Sequence, residues 1–402
     1  MTNPKASFDS MSPDAPPPST DAEANDAGAI VQSWLVEPLA QDVKLAIDRL
    51  ARSEDVARIA VMPDVHLASG VCVGNVVATT RLIYSQAVGS DIGCGMAAVA
   101  FAASADVLRR ERHARRLLEA LPTVAPAMRH RSLHVAPPLP DDLTAEPLTA
   151  ASLGKESQRE GRVELGTLGR GNHFVEFQAD EEDRLWLMVH SGSRHMGQAI
   201  HLHHTRNATR VAGGLCHLDA TTDAGQAYLA DVAWARRYAD ANRRRMIDAI
   251  AELLQTLFNI AVHGETLVTC DHNHVRRESH GERDLWVHRK GAMPADDGLP
   301  GVLPGTMETH SFHVVGRGCA AALRSSSHGA GRAMSRSDAR RRIGPNKLAR
   351  QLDGVYFDER LLKRLCEEAP AAYKDIDAVL RAQRELTRTV RKLTPVLVYK
   401  GV

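Results

Sequence analysis

The chain has 402 residues, 44% of them apolar and 25% charged, a balance that suits a soluble globular protein with a sizeable core and excludes a wholly disordered one. A formal net charge of +1 gives no global attraction to nucleic acid, and 4% aromatic residues exclude a surface built from many base-stacking platforms. No apolar run reaches the length of a membrane span, and six cysteines are scattered without a CxxC pair, so a cytoplasmic protein with reduced thiols is expected.

Residues 1–28 are rich in Pro, Ala, Ser and Asp, hold one basic residue against five acidic ones, and read as a disordered tail. The remaining 29–402 keep 49 basic against 44 acidic residues, with Arg324, Arg332, Arg336, Arg340, Arg341 and Arg342 crowded into one region. From about 30 to 52 a strand or turn leads into an amphipathic helix, and 56–66 reads as a buried strand ending in a polar corner. The apolar period over 104–121 predicts a helix; 122–150 is proline-rich and reads as irregular. A strand is expected at 184–192, and two helices over 224–260. Strands follow at 283–293 and 311–318. A helix capped by Asp375 is expected over 375–393, and a last strand at 395–401. Strands and helices intermix without a strict βαβ rhythm and without a solenoid repeat. This predicts an α+β chain, one large domain over 29–402 with mixed sheets and surrounding helices.

Seven segments share one design, in which an apolar strand delivers a polar cluster flanked by glycine. They are "MPDVH" (62–66), "GSDIGCGM" (89–96), "LGRGNHFVE" (168–176), "VHSGSRHMG" (189–197), "CDHNHV" (270–275), "HRKGAM" (288–293) and "SHGAGR" (327–332). Glycine there permits close backbone approach, and such corners on a rigid scaffold commonly carry function. Asp91 and Cys94 stand three apart in a glycine turn, where a carboxylate and a thiolate can share a metal. Imidazoles from His173, His190 and His272 complete a mixed S, N and O shell that suits Mn, Fe, Co or Zn better than Mg or Ca. No GxxxxGK[ST] loop and no KxDG lysine is present, so any nucleotide is held in another way. His195, His274, His310 and His313 read as packing or supporting groups, Cys72, Cys216, Cys319 and Cys366 as core fillers, and Asp64 and His66 as organisers of the site.

Taken in order, "MPDVH", "AVGSDIGCGM", "LGTLGRGNHFVE", "VHSGSR", "HN", "RKGA", "PGTM…SF", "SHGAGRAMSR", "AYKDIDAV" and a terminal "KG" resemble the RtcB-type RNA ligase family, from about residue 56 to the C-terminus. The resemblance implies an RtcB-like fold. It implies a GTP- and Mn²⁺-dependent enzyme joining RNA 2′,3′-cyclic phosphate or 3′-phosphate ends to 5′-hydroxyl ends through a guanylylated histidine. By motif, His328 is the nucleophile and Cys94 bridges two Mn²⁺ ions, with His173 and His190 completing one site and Asp91 and His272 the other. Glu176, Ser311, Tyr373 and Lys400 are implied to hold guanine; Asn172 and the Gly329, Ala330 and Gly331 backbone hold the nucleotide phosphate. Arg194, Asn273, Lys290 and Arg336 are implied RNA-phosphate contacts. The partners expected are GTP and RNA ends, such as tRNA halves or other broken RNA, with no membrane and a monomeric chain. Glu308 stands where the family usually has glycine, close to the implied guanine pocket. An end-binding paralogue that does not ligate, and a metal-dependent cyclic phosphodiesterase, are the competing functions.

Overall fold

The computed structural model describes residues 23–24, 28–211 and 214–401. The disordered tail expected at 1–28 therefore lies outside the described residues, apart from Glu23–Ala24 and Gly28. One domain of α+β class is built around two large sheets. The seven-stranded sheet runs in the order Val262–Asp271, Gly95–Ser104, Arg184–Ser191, Phe174–Ala179, Thr387–Lys400, Ser311–Gly316, Pro300–Leu303. The six-stranded sheet runs Glu23–Ala24, Ile30–Ser33, Val56–His66, Val73–Thr79, Arg283–Lys290, Asn273–His280. Pairing is antiparallel throughout both, except between Ile30–Ser33 and Val56–His66. A single residue, His272, separates the edge strand of one sheet from the edge strand of the other.

The strands of the larger sheet are apolar along most of their length because both faces are covered. Ala97, Val99, Phe101, Leu187 and Val189 face the helices Glu111–Val124 and Asp223–Phe258, packing with Leu117, Leu121, Met246 and Ile250. The alternate residues Met96, Ala98, Ala100, Trp186 and Met188 pack on the opposite face with Val302 and Leu393. This is the two-residue strand period with two cores, one on each side.

Five expectations are corrected by the structure. The 224–260 region is one helix, Asp223–Phe258, capped at its start by Thr222 and stopped by Asn259 in the left-handed conformation. Nothing between Gln226 and Phe258 is Gly or Pro, so no residue there breaks the hydrogen-bond ladder. The 375–393 helix covers only Ile376–Ala382, with Asp375 capping as expected; Thr387–Lys400 is a single long strand. The Leu386, Val390 and Leu393 spacing imitates a helix face, yet Val390 is 46% exposed and 387–393 pairs with Ser311–Gly316. Helix Glu111–Val124 runs past its expected end through Pro122, and the proline-rich excursion contains a short helix, Asp141–Ala145. The strand expected at 283–293 is interrupted at Gly291, where φ is +62°.

A continuous Asp223–Phe258 helix makes a specific demand at its middle. Ala241→Pro is expected to lower unfolding free energy by about 3 kcal/mol or more, measured by urea denaturation. A loss below about 1 kcal/mol would be the outcome expected of two separate helices.

Candidate functional site

One end of the seven-stranded sheet gathers the ligand candidates, because neighbouring strands place them in register. Met96 pairs with His190, and Phe174 pairs with His190 from the other side. Asp271 pairs with Gly95, so the next residue, His272, arrives beside Cys94; the His272 N–H donates to the Cys94 carbonyl at 2.8 Å. Cys94 Sγ lies 3.4 Å from His173 Nε2 and 3.2 Å from His190 Nε2. The candidate metal-ligating atoms form two overlapping groups, Asp91–Cys94–His173 and Cys94–His190–His272. Cys94 Sγ is common to both groups. The other ligands are grouped differently from the expected pairing: His173 stands with Asp91, and His190 with His272.

The donor chemistry fits cations. The Nδ1–H of His173 donates to the Leu168 carbonyl at 2.9 Å, and that of His190 to the Asn172 carbonyl at 3.1 Å, which leaves both Nε2 lone pairs facing Cys94. In that tautomer His173 Nε2 and Asp91 Oδ2 are two acceptors 3.0 Å apart, an arrangement that needs a proton or a metal ion between them. Burial pushes His190 and His272 well below the usual imidazole range, so both stay neutral and available as ligands. Burial, with Asp91 beside it, holds the Cys94 thiol well above its usual range, so its thiolate calls for a cation. Space is tight as well: a Cβ at Gly192 would fall 2.2 Å from Asp91 Oδ1.

His328 follows the short strand Ser325–Ser327, which pairs with Ala292–Pro294. Its Nδ1–H donates to Asp64 Oδ2 at 2.6 Å, and its backbone N–H donates to the same oxygen at 3.1 Å. This fixes the tautomer and leaves Nε2 unprotonated; the ring centroid stands 4.6 Å from that of His272. Gly331, at φ +72°, packs against the same acid: a Cβ there would meet the Asp64 carbonyl oxygen at 2.3 Å. Asp64 therefore has a defined role as orienter of His328, one that sequence reading leaves unassigned. Upstream, Leu323 and Arg324 take left-handed conformations, with φ of +51° and +48°. Fully buried Arg289 secures that bend, donating to the Leu323 carbonyl at 3.1 Å and to Ser325 Oγ at 3.0 Å.

Two residues missed by sequence reading hold the metal corners from below. Asn242 and Arg243 sit on the buried side of the long helix. Asn242 Oδ1 accepts the Gly166 and Thr167 N–H groups at 2.7 and 3.0 Å, and its Nδ2 donates to Thr167 O, Ser191 Oγ and Gly192 O. Arg243 Nη1 donates to the Gly93 and Ser191 carbonyls at 2.8 and 2.9 Å. The available signal is the series Tyr238, Asn242, Met246, in which an amide takes a core position on an apolar helical face.

A cavity of about 920 Å³ opens beside these groups. It is lined by Asn172, Glu176, Ser311, Gly329, Ala330, Gly331, Tyr373 and Lys400 of the expected nucleotide set, and by Asn273, Lys290 and Arg336 of the expected RNA set. Burial pushes the Glu176 carboxyl up to about 8, although Gln178 Nε2 donates to it at 2.5 Å. The Ala330 N–H is committed to the Pro304 carbonyl, so among the described residues the Gly329 and Gly331 N–H groups are the ones left to meet an anion. Each expected RNA contact already has a protein partner. Asn273 bridges the Gly291 N–H and the Asp91 carbonyl, Lys290 Nζ donates to the Ser69 and Val71 carbonyls, and Arg336 Nε reaches Glu368. Arg194 is not in the cavity wall; it donates to Thr167 Oγ1 and the Met128 carbonyl. Glu308 is exposed and outside the lining, so it does not narrow the cavity. Glu368 and Lys374 line it and are further residues that sequence reading leaves out.

The family model described as "tRNA-splicing ligase RtcB" matches residues 47–401. The chain is 36% identical over 370 residues to the RNA-splicing ligase RtcB of Escherichia coli K12, covering 85% of this chain and 90% of that one. It is 31% identical over 296 residues to the RNA-splicing ligase RtcB of Mycobacterium tuberculosis, covering 63% and 68%. With the tRNA-splicing ligase RtcB of Methanopyrus kandleri it shares 31% identity over 307 residues, 61% of this chain and 31% of that one. The chain belongs to the RtcB family.

Asn242→Ala leaves the buried Gly166 N–H without its acceptor and Thr167 N–H with the Glu164 carbonyl alone, and is expected to cost about 2 kcal/mol of stability, read from urea unfolding. The loosened corners should also lower the affinity of the Cys/His/Asp cluster for a divalent cation, probed with Mn²⁺, by about tenfold or more in a calorimetric titration. Unchanged affinity would mean that the helix supports the fold without ordering the ligands.

Proposed function

We propose that this chain is an RNA ligase that uses GTP and two Mn²⁺ ions to join RNA 2′,3′-cyclic phosphate or 3′-phosphate ends to 5′-hydroxyl ends. The observation that carries this reading is His328: an imidazole held on Nδ1 by a buried acid, its ring 4.6 Å from that of His272 in a Cys/His/Asp cluster. The family relationship supports it, since the named relatives are RNA-splicing or tRNA-splicing ligases.

Asp91, Cys94, His173, His190 and His272 would hold the two Mn²⁺ ions, whose charge would offset that building up on the phosphorus under attack. His328 supplies the nucleophile. Its Nε2 forms a bond to the α-phosphorus of GTP as the bond to pyrophosphate breaks. Asp64 retains the Nδ1–H and stabilises the positive charge that develops on the ring. The Gly329 and Gly331 N–H groups and Lys374, whose Nζ is held by the Pro63 and Val65 carbonyls, present positive potential to the phosphate. GMP then passes from His328 to an oxygen of the RNA 3′-phosphate: the phosphorus–nitrogen bond breaks and a phosphoanhydride forms. A 5′-hydroxyl oxygen attacks the RNA phosphorus, a phosphodiester forms, and GMP leaves. An RNA that starts as a cyclic phosphate must first be opened by water. Ser311 and Lys400 offer hydrogen-bond donors at the base end. Glu176 offers a carboxylate to the N–H edge that distinguishes guanine.

Incubation with GTP labelled at the α-phosphate, in Mn²⁺, is expected to label the protein. His328→Ala should abolish the label, and Asp64→Asn should slow labelling by about 100-fold or more, because it spoils the tautomer. Absence of label on the unaltered chain, or its survival in His328→Ala, would overturn the reading.

The raised Glu176 pKa adds a pH signature. Below about 8 the free carboxyl keeps its proton, which must be shed for it to accept guanine's N–H groups. GTP affinity should therefore rise by about tenfold per unit up to pH ~8 and level off above it, while Glu176→Gln should flatten the profile. Isothermal titration between pH ~6 and ~9 checks this.

A further inference from the structure

One buried carboxylate ties the two ends of the cavity together. Glu368 is 1% exposed and accepts from four donors. Its Oε1 receives Arg332 Nη1 and Arg336 Nε, each at 3.2 Å. Its Oε2 receives the Tyr373 hydroxyl at 2.5 Å and Lys400 Nζ at 3.2 Å. The first pair follows His328 in the chain, with Arg336 on the side implied to meet RNA phosphate, while Arg332 Nη1 also reaches the Tyr373 hydroxyl at 3.3 Å. Tyr373 and Lys400 belong to the base end, with Lys400 Nζ 5.6 Å from the Phe174 ring centroid. Three cations thus surround one anion. Glu176, on the strand paired with that of Lys400, does not balance them at neutral pH because its carboxyl is pushed up to about 8.

Such a joint has a defined response to ligands. A buried carboxylate is stable only while donors and positive charge surround it. A nucleotide base that takes Lys400 and Tyr373 leaves Glu368 dependent on Arg332 and Arg336, and so tightens its hold on them. An RNA phosphate that takes Arg336 does the reverse, making Lys400 and Tyr373 harder to withdraw. The effect is reciprocal, since each ligand changes the affinity of the other by the same factor.

On the reading given under Proposed function, we propose that Glu368 is a positioning residue that sets GTP and an RNA 3′-phosphate in competition for one shared set of donors.

The test measures GTP affinity in Mn²⁺, by calorimetry, in a His328→Ala background where no covalent step occurs. Titrations are run with and without an RNA oligonucleotide ending in 3′-phosphate, and with a 3′-hydroxyl oligonucleotide as control. In the background chain the 3′-phosphate RNA is expected to weaken GTP binding by about fivefold or more, and the control RNA by less than about twofold. Adding Glu368→Gln, which keeps shape and removes charge, should shrink the effect of the 3′-phosphate to within about twofold. A purely structural role would change the unfolding midpoint and leave that ratio alone. Should Glu368→Gln fail to fold, Glu368→Asp decides. It keeps the charge but is one methylene too short to meet both donor pairs, so the ratio should fall by at least about half. Full antagonism in the folded Glu368 variant, or none in the background chain, overturns this inference and leaves the proposed function standing. Failure of the background chain to bind GTP overturns both.

Discussion

The two large sheets are spliced at His272. The chain leaves the edge of one sheet at Asp271 and enters the edge of the other at Asn273, with no turn between. A strand can make that passage only if both sheet ends meet there, and the meeting point is where Cys94, His190 and His328 converge. The cavity is the consequence. The larger sheet brings the Cys/His/Asp centre, the smaller one brings Asp64, and the loop that begins at His328 lies against both.

A seam lined with unsaturated acceptors is unstable unless its surroundings are fixed. The long helix supplies that fixity through Asn242 and Arg243, which answer seven backbone and side-chain groups of the corners that carry His173, His190 and Cys94. On the other side, the buried Arg289 and Glu278 pair anchors the left-handed bend at Leu323 and Arg324, from which the strand leading to His328 departs. Non-glycine residues in that region carry a conformational cost of about 1–3 kcal/mol each, tolerable only where neighbours hold them. The rigid parts of the molecule are thus polar as well as apolar. Most buried polar atoms in these networks face a partner that would otherwise be left unanswered; Arg243 Nε is an exception.

Much of the site was legible in the sequence because its parts are punctuated. Glycine beside His, Asp or Cys at the end of an apolar strand marks Asp91, Cys94, His173, His190 and His328 before any fold is known. What stayed hidden depends on distance in space. The grouping of His173 with Asp91 follows from strand register, which no local pattern encodes. Asn242 and Glu368 look ordinary in sequence, and each matters through partners up to dozens of residues away. The misread segment at 387–393 has a related cause. Leucine and valine at helical spacing satisfy a local rule, while pairing with the distant strand Ser311–Gly316 decides the conformation.

The outward position of Glu308 has a consequence for how such a site can drift. Inside the cavity the alphabet is nearly closed: at Gly331 any side chain strikes the Asp64 backbone, so change there is all or nothing. Glu308, by contrast, is exposed and outside the cavity lining, where a side chain meets no such wall. Variation is thereby sorted by geometry. The chemistry sits in positions that cannot be adjusted by degrees, and the solvent-facing edge absorbs substitutions as a free parameter, available for whatever large ligand later leans against it.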